Sequence, residues 1–78
     1  MGVPLGSLKA GQSGVVQRVT GGRAVALRLA ALGILPGREV RVFRNWGPLI
    51  LCLQNNRLAL GRGAAQHVLV SPQRRAAS

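Results

Sequence analysis

Seventy-eight residues make at most one domain, and at this length apolar burial, at roughly 25 cal/mol per Å², barely exceeds an ordering cost of roughly 1.5 kcal/mol per residue. Eleven lysines and arginines against a single acid, Glu39, give a formal net charge of +10, which draws anionic partners such as nucleic acid, lipid headgroups or an acidic protein surface in a salt-dependent way. The lone Cys52 forms no internal disulfide, and the longest apolar runs, 49–53 and 29–35, fall far short of the roughly 20 residues that span a bilayer. The start, Met1-Gly2-Val3-Pro4-Leu5, lacks the order of a signal peptide. A disulfide scaffold, a membrane span and a secreted protein are therefore set aside, and a reducing cytoplasm is expected.

In chain order, residues 5–11 read as an extended lead-in with a turn over 7–11, and 14–19 as a first strand of branched residues in which Gly14 tolerates a bulge or a close backbone approach. Gly21-Gly22 stops it. Residues 24–32 read as a helix, because Ala and Leu are strong helix formers and Val25, Leu29 and Leu32 recur at i, i+4 and i+7 on one face. Leu27, Ala30 and Ala31 point away from that stripe, beside Arg23, so the helix is apolar on nearly all sides and its outer face invites cover. Gly33 is placed to end the helix in the left-handed conformation, and Pro36-Gly37 to bend the chain into the next strand.

That strand, 39–43, buries Val40 and Val42 and presents Glu39, Arg41 and Phe43. A loop over 45–48 leads into 49–53, Asn55-Asn56 supply the positive-φ positions of a tight turn, and 58–60 return. One helical turn over 61–66, weakened by Gly61 and Gly63, precedes a closing strand at 68–70 that Pro72 ends. The expected architecture is one domain over 1–72 with a disordered tail over 73–78. Five short strands with one or two short helices, no internal repeat and no βαβ spacing predict a mostly β fold, a small antiparallel barrel whose closure removes exposed edges.

The same order of motifs resembles the FeoA family: Leu8 and Gly11, Gly21-Gly22, Leu29-x-x-Leu32-Gly33-Ile34-x-Pro36-Gly37, Val40-x-Val42, Gly47-Pro48, Leu58-Ala59-Leu60, Ala65 and Val68-x-Val70. The resemblance covers residues 5–70. It implies an SH3-like barrel in the cytoplasm, peripheral to the inner face of the membrane, that assists FeoB, a ferrous-iron transporter with a cytosolic GTP-hydrolysing domain. The related barrel at the C-terminus of DtxR-type metal-dependent repressors accompanies winged-helix and dimerisation domains for which this chain has no room. The resemblance therefore implies a FeoB partner in iron homeostasis, acting by protein–protein interaction.

Residue by residue, the chemistry-bearing groups are few. His67 and Cys52 are the only soft or borderline metal ligands and Glu39 the only carboxylate side chain, whereas a transition-metal site needs three or four converging ligands. No metal site, cofactor or catalytic residue is expected; Cys52 reads as a small core residue and His67 as a surface or partly buried polar group. No acid–base pair, activated nucleophile or phosphate-binding loop is present, which points away from an enzyme. Metal bridging two copies, and weak self-association, stay open.

Trp46, beside Gly47-Pro48 and near Phe43, reads either as an aromatic anchor for a partner or as a plug over one open end of the barrel. Arg38, Arg41, Arg44 and Arg57 read as a solvated face or, on neighbouring outward positions, as a basic patch. The residues expected to meet a partner are Arg23, Leu27 and Ala31 on the helix together with Arg41, Arg44 and Trp46. The competing reading is a basic nucleic-acid-binding module, which the scarcity of aromatics for base stacking disfavours.

Overall fold

Alternation with a period of two sorts the strand residues into buried and exposed sets, and that sorting builds the molecule. The computed structural model describes residues 2–73. In chain order it contains β1 (Val3–Pro4), a 3-10 turn (Leu5–Ser7), β2 (Ser13–Val19), α1 (Arg23–Ala31), β3 (Glu39–Asn45), β4 (Leu49–Leu53), β5 (Asn56–Leu60), α2 (Arg62–Ala65) and β6 (Val68–Gln73). Val40 and Val42 of β3, Leu49, Leu51 and Leu53 of β4, and Val68 and Val70 of β6 all turn inward and are buried, with Leu5, Leu8, Leu29 and Ile34 closing the same core.

The strands form one six-stranded sheet in the order β1-β6-β2-β3-β4-β5, antiparallel at every pairing. Bulges between Val16 and Arg18 on β2 and between Val42 and Arg44 on β3 bend it around the core, since each inserts an unpaired residue and sharpens the local twist. The expected mostly β, barrel-like fold is found. Its hydrogen-bonded ladder is open, with β1 and β5 as edges. A polar tie links the 3-10 turn, β3 and α2: the Asn45 side-chain amide donates to the backbone carbonyls of Gly6 and Leu8, and the Arg62 guanidinium donates to Asn45 Oδ1.

α1 ends as its sequence dictates. Gly33 has φ +92°, and Gly33 N–H donates to Ala30 O and Ile34 N–H to Leu29 O, both at 2.9 Å, the paired bonds of a Schellman motif. Leu29 and Ile34, which that motif brings together, are both buried. Leu35-Pro36-Gly37-Arg38 then forms a tight turn, with Arg38 N–H on Leu35 O at 3.0 Å and Gly37 at φ +91°, the position that favours glycine after proline.

Five local expectations are corrected. Residues 5–7 of the lead-in form a 3-10 turn, not an extended stretch, and Val3 and Pro4 before them add a strand by pairing with Val70 and Leu69 of β6. The β4–β5 turn is centred on Gln54 and Asn55, not Asn55-Asn56: Leu53 pairs with Asn56, and Gln54 takes φ 46°. β6 continues through Pro72, which pairs with Gly14 beyond the stretch of β6 that β1 covers, where no second ladder needs the missing N–H. Gln73, read as the first tail residue, is the last residue of β6, and 74–78 lie outside the described residues. Leu32, assigned to the buried stripe of the helix, is 46% exposed, because it follows the last helical residue and borders an open cleft with Val25, Leu29, Leu60 and Ala64.

Candidate functional site

Inward burial of Val40, Val42, Leu49, Leu51 and Leu53 forces their alternates onto the outer face of the sheet. Arg41 pairs with Cys52 and Cys52 with Arg57, so an arginine, the cysteine and a second arginine lie side by side across β3, β4 and β5. The bulge at Val42/Arg44 adds Phe43 to this face, 44% exposed, with the Arg57 guanidinium 4.0 Å from its ring centroid. Arg44 pairs with Ile50 and sets its guanidinium 4.7 Å from the Trp46 ring centroid. Cation–π stacking of this kind contributes about 0.5–1 kcal/mol at an exposed site and limits the rotamers open to the arginine.

Trp46 itself, on the turn after β3, is 69% exposed. It stands out from the molecule and does not plug the barrel. Arg38, Arg41, Phe43, Cys52 and Arg57, with the turn at Ala10-Gly11, line an open groove of about 890 Å³ on the same face. Of the arginines read from sequence as a patch, Arg41, Arg44 and Arg57 occupy outward strand positions while Arg38 stands half-buried in the turn before β3, and Arg44 carries the Trp46 ring.

Arg23, Leu27 and Ala31 form a different surface. All three are exposed at i, i+4 and i+8 on α1, and Leu27 is 63% exposed. Leu35, in the turn that follows α1, adds a further exposed apolar side chain. Gly22, at φ 93°, caps the start of α1 without a side-chain hydrogen bond. Arg23 at this end opposes the helix dipole, whereas Arg28 in the last turn complements it.

The remaining chemistry-bearing groups have structural surroundings. His67 is partly buried, its Nδ1 3.2 Å from Thr20 Oγ1, and its backbone carbonyl accepts from Thr20 N–H at 2.7 Å, which fastens the end of β2 to the start of β6. Gly21 runs so close that a Cβ there would lie 2.8 Å from His67 Nδ1. Cys52 is half-buried at the sheet surface, not in the core; the alternation within Leu49-Ile50-Leu51-Cys52-Leu53 was the signal, hidden by its uniformly apolar composition. Among the described residues no group of three His, Cys, Asp or Glu is placed to hold a metal ion, and no helix is long and apolar enough to cross a membrane. Sequence reasoning missed the tie between Asn45 and Arg62 that shapes one end of the sheet; the pattern places Asn45 only in a loop and Arg62 only in a helical turn.

Comparison with known proteins extends this geometry. The chain matches the FeoA domain over residues 3–72. A Methanocaldococcus jannaschii protein, provisionally named Fe(2+) transport protein A, is 34% identical over 68 residues, spanning 86% of this chain and 83% of its own. The crystal structure of an iron uptake regulatory protein, FeoA, superposes with a TM-score of 0.88 at 33% identity, covering 94% of this chain and 99% of that one. The FeoA of Stenotrophomonas maltophilia, crystallised with zinc and described as a prokaryotic SH3 domain protein suggested to activate ferrous iron transport, gives a TM-score of 0.79 at 35% identity, with 95% and 99% coverage. With the six-stranded SH3-like sheet, the Schellman-capped helix and the Leu-x-x-Leu-Gly-Ile-x-Pro-Gly turn all in place, the chain belongs to the FeoA family, the ferrous iron transport A proteins.

Proposed function

We propose that this chain is a non-catalytic accessory protein of ferrous iron uptake that docks on the cytosolic GTP-hydrolysing part of a FeoB-type transporter and modulates its assembly or activity. The observation that carries this reading is a family member with two exposed apolar anchors, Leu27 on α1 and Trp46 beside β3, on a chain of net charge +10. Apolar anchors rimmed by arginines are the composition of a protein-binding surface. The same charge draws the protein toward the anionic inner leaflet next to which a transporter's cytosolic domain lies, and it opposes close self-association.

The test is affinity capture of the tagged protein from its native membranes near 150 mM salt, where the screening length is about 8 Å, followed by mass spectrometry with and without nuclease. A FeoB-type transporter is expected to be enriched in both arms, and a folded Leu27→Glu variant to lose it. Recovery of nuclease-sensitive material alone would replace docking by nucleic-acid binding, and capture by the folded variant would take the α1 face out of the interface.

A further inference from the structure

We propose that the groove on the outer face of β3, β4 and β5 binds an acidic segment of a partner protein, with Arg38, Arg41 and Arg57 bonding its carboxylates. The inference deepens the docking reading and rests on it only for which protein supplies the segment.

Arg41 and Arg57 sit on register positions either side of Cys52, two strand spacings or roughly 10 Å apart at the backbone, and Arg38 joins them from the turn before β3. Their long side chains bring the three forks within reach of carboxylates a few residues apart on an extended segment. Stacking on Phe43 at 4.0 Å restrains the Arg57 guanidinium while its N–H groups donate to no other described residue, so less freedom is lost when it bonds a carboxylate in bidentate fashion. Glu39 is the one carboxylate lining the groove and the only Asp or Glu in the chain, which leaves the groove an excess of positive charge.

Charge complementarity selects the occupant. A second copy has a single acid to offer and cannot supply an acidic segment. A lipid surface meets protruding cations, whereas these line a concavity between the sheet and the turn at Ala10-Gly11. Nucleic acid gains from open aromatic faces, and one face of Phe43 is already taken by Arg57.

The test uses Cys52, the only cysteine and a lining residue of the groove, as a reporter: alkylation of the folded protein is timed with N-acetylated hexaglutamate, hexalysine, phosphatidylglycerol vesicles or oligo(dT) present. Hexaglutamate is expected to slow alkylation and to bind about ten-fold more weakly to Arg41→Glu and Arg57→Glu. Arg41→Gln serves as a milder variant if charge reversal perturbs the circular dichroism spectrum. Arg18→Glu makes the same change of net charge on β2, away from the groove, and is expected to shift affinity less than about two-fold. Equal weakening by Arg18→Glu, absence of Cys52 protection, or stronger protection by vesicles or oligo(dT) than by hexaglutamate would overturn the assignment. If the wild type captures the transporter while hexaglutamate leaves Cys52 unprotected, the groove assignment fails and docking stands. If hexaglutamate protects Cys52 and no transporter is captured, docking fails and the groove stands.

Discussion

The outer face of α1 and the outer face of β3–β5 are both exposed, yet they are held by opposite means. On α1, Leu27 and Ala31 are exposed because the helix packs its inner side with Leu29 and, among the described residues, nothing covers the other. On the sheet, Arg41, Cys52 and Arg57 are set by register against a fully buried inward row, and both exposed rings, Phe43 and Trp46, carry a guanidinium. The first surface is apolar along Leu27 and Ala31, with Arg23 at one end, and is secured by the Gly21-Gly22 break and the Schellman turn; the second is charged and shares its strands with the core. A change on α1 should therefore alter binding with little loss of stability, while the strands beneath the sheet face should tolerate little.

The sharpest way to break that contrast is a pair of leucine truncations. Leu51→Ala, on the buried side of β4, is expected to cost about 2–5 kcal/mol, and Leu27→Ala, on the exposed side of α1, less than about 0.5 kcal/mol, measured by urea denaturation. Comparable losses would mean that the α1 face is part of the stabilising core. Next in size, Asn45→Ala leaves the carbonyls of Gly6 and Leu8 without their side-chain donor and is expected to cost about 1–3 kcal/mol; an unchanged denaturation midpoint would show that the tie between the 3-10 turn and β3 carries no weight.

Gly21→Ala tests whether α1 depends on the chain that leads into it. A side chain at φ +93° meeting His67 Nδ1 at 2.8 Å is expected to cost about 1–3 kcal/mol and to change the His67 ring signals in an NMR spectrum, whereas unaltered stability and spectra would show that the backbone adapts. The smallest effect belongs to Phe43→Ala: losing the stacked Arg57 is expected to cost about 0.5–1 kcal/mol. Leaving stability intact while freeing the arginine would sharpen the distinction between the sheet face as a scaffold and as a binding surface.

Much of the fold was legible because local rules and tertiary structure agree. Gly33 and Pro36-Gly37 announce a helix end and a turn through conformations that few residues adopt, and both form where the sequence placed them. Val40 and Val42 announce an inward pair by alternation, and both are buried. The β4–β5 turn shows the opposite case: Asn55-Asn56 favours a turn one residue later, but Leu51 pairs with Leu58 and Leu49 with Leu60, so Leu53 meets Asn56 and Gln54 takes the left-handed conformation instead. Either turn would leave the same leucines facing inward, so neither alternation nor the turn residues alone fix the register; the pairing is a property of the whole hairpin.

Of the candidate site, the helix face was readable from a 3.6-residue period, and so was the outward sense of Arg41 and Phe43. The sequence by itself determined the strong positive charge, the capped helix with apolar residues on both sides, and the alternating strands of a small β fold, since each depends on residue type and near-neighbour spacing. Only the tertiary structure decided that Arg41, Cys52 and Arg57 stand in one row, that Arg57 stacks on Phe43, and that Asn45 ties the 3-10 turn to α2. Those arrangements join residues far apart in the chain through strand register and bulge placement, which are set when the whole inward face packs at once.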